Sequence, residues 1–211
     1  MKNTYQDFLR SNIDLSSLGI ERDTNRKAYF CTPQGASFIG WEGADGIHYC
    51  FIRGFGEMVF AVNPSNAAPD YVHPLAGDFK DFLRLLLACG NVAALEQAWS
   101  WNRSRFEAYL SENPRTEEQE ALLSEISGKT GLTAMEDPFR YMHVLQESFD
   151  YSKIKYTKEY YDITEGQAVP EWKVRFFNHQ GRNRTAKEIP MDKRFLWGDE
   201  EWCIPSIYVC G

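Results

Sequence analysis

The sequence predicts an α+β fold: an antiparallel β-meander packed against helices, a helical middle segment, and a second, smaller β-rich C-terminal section. Three observations predict it. Short runs rich in aromatic and β-branched residues, split by turn formers, fill residues 28–62. Apolar residues at helical spacing, bracketed by capping residues, fill 78–149. Strand texture then returns after Asp150. Runs of strands followed by runs of helices indicate α+β rather than alternating βαβ units.

Taken in order, Tyr5, Phe8 and Leu9 have the spacing of a short first helix. Strands are expected at 28–31, 37–41, 47–52 and 58–62, with one more short strand at Tyr71 and Val72. Asp45-Gly46 is a hairpin signal, because both residues tolerate positive φ. Short connections between successive strands imply a meander. Asp78 is expected to cap a helix over 79–89, where Phe79, Phe82, Leu83 and Leu86 form one apolar stripe and Gly90 is the stop. Asn91 and Asn102 are the next candidate caps, and Pro114 breaks the chain. Thr116 with Gln119 resembles a capping box, and Asp137-Pro138 reads as a cap with proline in the first turn. Beyond 150, Trp172, Val174 and Phe176 alternate with Lys173, Arg175 and Phe177, as a strand with one apolar face would. Residues 185–189 and 207–209 read as weaker strands. The last apolar run ends at Gly211, which leaves open a natural chain that extends further. The expected organisation is a sheet-plus-helix domain at 1–90, a helical segment at 91–150 that bridges two sheets or caps the first, and a β-rich extension at 151–211.

Composition narrows the function. The chain has 211 residues, 43% hydrophobic, with 23 basic and 30 acidic side chains and a net charge of −7. That is long enough for a sizeable core. The longest stretch without charge, 28–41, carries Pro33, Gly35 and Gly40, and is too short to span a membrane, which takes about 20 apolar residues. The N-terminus does not read as a secretory signal. Five isolated cysteines, with no CxxC pair, suit a reducing compartment, so a cytoplasmic protein is expected. Net charge is −3 over 1–100, −5 over 101–150 and +1 over 151–211. The acidic middle disfavours general nucleic-acid binding, although Lys173, Arg175, Arg182, Arg184 and Lys187 form a local basic cluster.

Candidate chemistry is sparse. Glu42, Asp45 and His48 lie close together and could ligate a metal or act as acid and base. A tight turn points such residues apart, and no second ligand cluster follows, so no metal or other cofactor is expected. His48 and Cys50 share one strand face, the best local Cys–His pair, but Tyr49 and Phe51 flank a thiol that reads as inert. Gly54-Phe-Gly56 lacks the spacing of a phosphate loop and reads as a hairpin with Phe55 at its tip. The second half is rich in aromatics: Trp99, Trp101, Trp172, Trp197 and Trp202 among them. Tyr151, Tyr156, Tyr160 and Tyr161 interleave with Lys153, Lys155 and Lys158, a polar pattern that packs poorly as core and reads as an exposed recognition segment.

Phe38, Gly40 and Trp41, the Asp45-Gly46 turn, the strands at 47–52 and 58–62, and the run from Val72 through Phe79, Phe82 and Leu83 resemble the SUKH superfamily. This is the fold of the yeast cell-wall-synthesis regulator and of many bacterial immunity proteins. The resemblance covers about residues 37–88; the family's longer N-terminal part is not evident before Ala28, and 91–211 has no counterpart. It implies a sheet-plus-helix protein-binding domain, often neutralising a toxin, with no catalytic residues to carry over. The expected function is therefore non-enzymatic protein binding, as an immunity or regulatory protein. Trp41, Glu42, Asp45, Phe55, Tyr156 and Tyr160 are the expected contact residues. The alternative is a small hydrolase or ligand-binding enzyme using His48 with Cys50 or Asp45.

Overall fold

A computed structural model describes residues 4–23, 26–43 and 45–164. The expected strands at 172–177, 185–189 and 207–209, with the basic cluster and Trp172, Trp197 and Trp202, lie outside the described residues.

The α+β reading holds. Four strands, β1 (Ala36–Glu42), β2 (Ile47–Ile52), β3 (Val59–Val62) and β4 (Val72–Ala76), form one antiparallel sheet in chain order. The β1–β2 register pairs Trp41 with His48 and Glu42 with Ile47. Helix α1 (Thr4–Arg10) precedes the sheet. After it come α2 (Phe79–Cys89), α3 (Ala93–Gln97, running on as a 3-10 turn), α4 (Arg103–Glu112), α5 (Glu117–Thr130), α6 (Pro138–Ser148) and α7 (Lys158–Thr164). Their ends are set by local chemistry. Asp78 accepts from the Asp81 amide at 2.8 Å, and Gly90 takes the left-handed conformation at φ 83°. Thr116 and Gln119 form the reciprocal capping box. Asp137 caps α6 ahead of Pro138.

The sheet is covered on both faces. On one, Tyr49, Val59, Ala61 and Leu75 join a buried cluster that runs from Phe8 through α2 to Phe106, Ile126 and Met142. The helical segment thus caps the sheet and shares its core, with no break near residue 90. On the other face, Cys50, Ile52, Phe60 and Val62 pack under Cys31, Tyr71, Ile154 and Tyr160. A bulge at Phe38–Gly40 decides where Trp41 goes. It breaks the two-residue alternation, so Ile39 faces the helices while Trp41 joins Phe38 and His48 on the opposite side.

Two expectations are corrected here. Residues 28–31 form no strand; they begin a loop that folds over the second face, where the Thr32 amide donates to the Tyr29 carbonyl at 2.9 Å. Of the section expected to be β-rich, residues 151–164 hold no strand: a 3-10 turn at Tyr151–Lys153 leads through the non-helical residues 154–157 into α7. Among the described residues, no helix is long and apolar enough to cross a membrane.

Candidate functional site

The first hairpin holds most of the residues singled out by sequence, and the structure divides them between its two faces. Trp41 is 1% exposed. Its ring stacks on Phe38 with centroids 5.0 Å apart, lies 4.7 Å from His48, and has the Arg26 guanidinium 5.6 Å above it. It is a core residue and offers no surface to a partner, because the bulge turns it inward.

His48 is fully buried beside it. Its Nδ1 lies 2.8 Å from the Gly46 carbonyl, which can only accept, so Nδ1 carries the proton. Nε2 then accepts from the Thr32 hydroxyl at 3.1 Å, while Thr32 Oγ1 accepts from the Tyr29 amide at 2.8 Å. The imidazole ties the hairpin turn to the overlying loop. Burial pushes its pKa down to about 4, against a smaller opposing effect from the Gly46 carbonyl. Cys50 is buried on the same face, and burial pushes its thiol up to about 12. A neutral imidazole with both nitrogens engaged and a protonated thiol in an apolar layer do not make a nucleophile–base pair. Asp45 is exposed on the turn. Among the described residues, no group of three or more His, Cys, Asp or Glu is placed to hold a metal ion.

Glu42 points to the helical face. Its carboxylate accepts a hydrogen bond from the Tyr49 hydroxyl, and α3 places Glu96 within electrostatic reach of both. Glu96 is 3% exposed and accepts from Asn63 Nδ2 at 2.8 Å and from Gln97 Nε2. Burial is the largest influence on both carboxyls and raises both above the ordinary carboxylate range; the hydrogen bonds oppose it. Sequence reasoning passed over Glu96. The available signal was its isolation as the single charged residue between Arg84 and Arg103. A lone charge in an apolar run must be paired or buried at a cost.

Phe55 and the tyrosine-rich segment are less exposed than the sequence suggests. Phe55 is half-buried, with its ring 5.5 Å from both Phe60 and Phe149. Tyr160 is 9% exposed and Tyr156 half-buried; their rings stack 3.9 Å apart, and Tyr160 meets Tyr71 edge-on. Lys153, Lys155 and Lys158 point to solvent while Ile154, Tyr156 and Tyr160 turn inward. The segment is a strap over the second sheet face, fastened by the Gln34 amide donating to the Lys155 carbonyl at 2.7 Å. Tyr161 remains exposed. A shallow cavity of about 380 Å³ lies where the strap meets the loop, lined by Tyr29, Thr32, Gln34, Phe38, Thr157 and Glu159.

Charge is displayed elsewhere. Only Leu123 and Ile126 of α5 are buried, and Phe106 alone of α4. Arg103, Arg105, Arg115 and Lys129 are matched by Glu107, Glu112, Glu120 and Glu125. Glu117, Glu118 and Glu136 are exposed and have no ion-pair partner among the described residues. Compared with protein-family models, with curated proteins and with solved structures, the chain has no significant match.

Proposed function

We propose that the chain is a non-enzymatic protein-binding module of the cytoplasm, an immunity or regulatory protein that captures a basic partner through the exposed acidic start of α5. One observation carries this reading. Glu117 and Glu118, two neighbouring acidic side chains without an ion-pair partner among the described residues, stand on the surface at the start of α5, whereas His48 and Cys50 are locked in the interior. An unneutralised acidic face attracts a basic partner and speeds encounter. A four-strand meander followed by the Phe79–Cys89 helix is the element order that the SUKH resemblance implies, and the immunity reading rests on that resemblance. The enzyme alternative loses support, because its His48–Cys50 pair would need an accessible base and an ionisable thiol.

The test titrates the full protein at rising salt with basic domains drawn from the reading frames that neighbour its own. Binding is expected to weaken steeply with salt, and the charge reversal of Glu117 and Glu118 to lysine to weaken it about tenfold or more. Binding indifferent to both salt and charge reversal overturns the placement. A chain that binds no such domain, and turns over a small substrate instead, overturns the function.

A further inference from the structure

Strand β1 lies at an edge of the sheet, and its outer side is covered at both ends but not between them. At one end the Glu21 and Trp41 backbones exchange two hydrogen bonds of 2.8 Å. At the other the Gln34 amide donates to the Lys155 carbonyl at 2.7 Å. Residues 36–38 lie between these contacts. The pairing fixes which way their backbone groups point. The Gly35 carbonyl accepts from the Arg53 amide at 3.1 Å, so residues 35 and 37 address β2, while Ala36 and Phe38, one step out of phase, face away from it. The bulge at Phe38–Gly40 then shifts the phase, and Trp41 also faces outward, to Glu21. The Ala36 amide turns back to the Pro33 carbonyl at 3.2 Å. The Ala36 carbonyl and both backbone groups of Phe38 have no partner on that side among the described residues.

The cavity of about 380 Å³ opens on this gap, lined by Ala36 and Phe38 from the sheet, Tyr29 from the loop, and Thr157 and Glu159 from the strap. Thr157 Oγ1 is buried there without a hydrogen-bond partner among the described residues. Tyr29 is 40% exposed. Glu159, the one charged side chain among the described lining residues, is exposed and takes part in no ion pair among them. Unpaired donors and acceptors along a strand edge are a template for a further strand.

We infer that β1 receives one extended, antiparallel peptide segment of a protein partner between Glu21 and Lys155, with a lysine or arginine opposite Phe38. That residue exchanges two hydrogen bonds with the Phe38 backbone, and the residue two further on donates to the Ala36 carbonyl. Opposed side chains share a face, so the one opposite Phe38 enters the cavity. An apolar stem over the Phe38 and Tyr29 rings, with a cationic head at the Glu159 carboxylate, suits lysine or arginine. Glu21 and Lys155 already occupy both ends of the lane beside β1, which keeps off a long folded edge such as that of a second copy of this chain. The contact goes beyond the acidic start of α5 and does not depend on it.

The test titrates the isotope-labelled full chain by NMR with the acetylated, amidated peptide Thr-Val-Lys-Val-Thr. Expected are a Kd of about 1 mM, shifts at the Phe38 and Thr157 amides, and about tenfold slower exchange of the Phe38 amide at saturation. Methylating the lysine amide removes the donor to the Phe38 carbonyl and should abolish binding. Methylating the amide of the following valine, which points away, should leave binding intact. Glu159→Gln, on the exposed side of the strap, should weaken it about threefold. No shift up to about 10 mM peptide overturns the site, as does equal binding of the two methylated peptides. A Phe38 amide protected before peptide is added overturns it too, because the edge is then already paired. Unaltered affinity in Glu159→Gln overturns the basic side chain opposite Phe38.

Discussion

The Thr32 hydroxyl donates to Nε2 of His48 at 3.1 Å, and through this bond a surface loop is pinned to the middle of a β-sheet. Both side chains are buried, so neither end of the bond is exchanged with water at low cost. The imidazole that sequence reasoning offers as a catalytic base is a structural fastener.

Acid should undo this fastener. The folded His48 pKa, about 4, lies below the ordinary unfolded value near 6.5, so its contribution is complete above about pH 6.5 and is lost as pH falls toward 4. The expected loss is about 3 kcal/mol of unfolding free energy, seen by urea denaturation at several pH values. An imidazole that titrates near 6.5 in the native protein would contradict the assignment.

Thr32→Val keeps the shape and removes the hydroxyl. It leaves His48 Nε2 and the Tyr29 amide without a partner, at an expected cost of about 1–3 kcal/mol in chemical denaturation. An unchanged midpoint would show that the bond contributes nothing.

Cys31, Cys50 and Cys89 are buried, and burial pushes each thiol up to about 12. Native protein at neutral pH should therefore leave these three unlabelled by a thiol reagent until it unfolds. Rapid modification of Cys50 in the native state would reopen the enzyme reading.

Gly40→Ala tests the bulge. A β-carbon there would meet the Ile20 side chain and stand 2.9 Å from the Glu21 carbonyl oxygen, across the bridge in which Glu21 and Trp41 exchange two 2.8 Å hydrogen bonds. The expected cost is about 1–3 kcal/mol, with altered tryptophan fluorescence as Trp41 shifts. A variant as stable as the parent would mean the edge moves aside freely.

Tyr160→Ala distinguishes a strap from a recognition surface. Removing a ring packed on Tyr71 and Tyr156 should cost about 3 kcal/mol and raise binding of a hydrophobic dye. A stable variant that loses only partner binding would restore the recognition reading.

These residues also show what the sequence makes legible. Helix ends were readable because a cap is a contact between near neighbours: Asp78 with Asp81, Thr116 with Gln119. The two-sided burial of the sheet was harder. Residues 47–52 are apolar except for His48, the mark of a strand covered on both faces, but the cover comes from distant loops that periodicity does not reveal. Trp41 was misplaced because a one-residue bulge reverses side-chain direction without any compositional trace. The tyrosine-rich segment reads as solvent-facing because its lysines suggest solvent for the whole run, whereas Ile154, Tyr156 and Tyr160 turn inward and the lysines out. Glu96 was missed because its partners are spread over β1, β2 and β3.

The Gln34–Lys155 bond has a consequence for biosynthesis. The four strands and α2 are complete as soon as residue 89 leaves the ribosome, and their pairings are local enough to form promptly. The aromatic layer around Phe60 and Tyr71 is covered only in part, by the loop at Phe30 and Cys31, until residues 149–164 are synthesised. Throughout that interval the nascent chain carries a half-covered, sticky surface, the moment in its life when chaperones and misassembly compete for it.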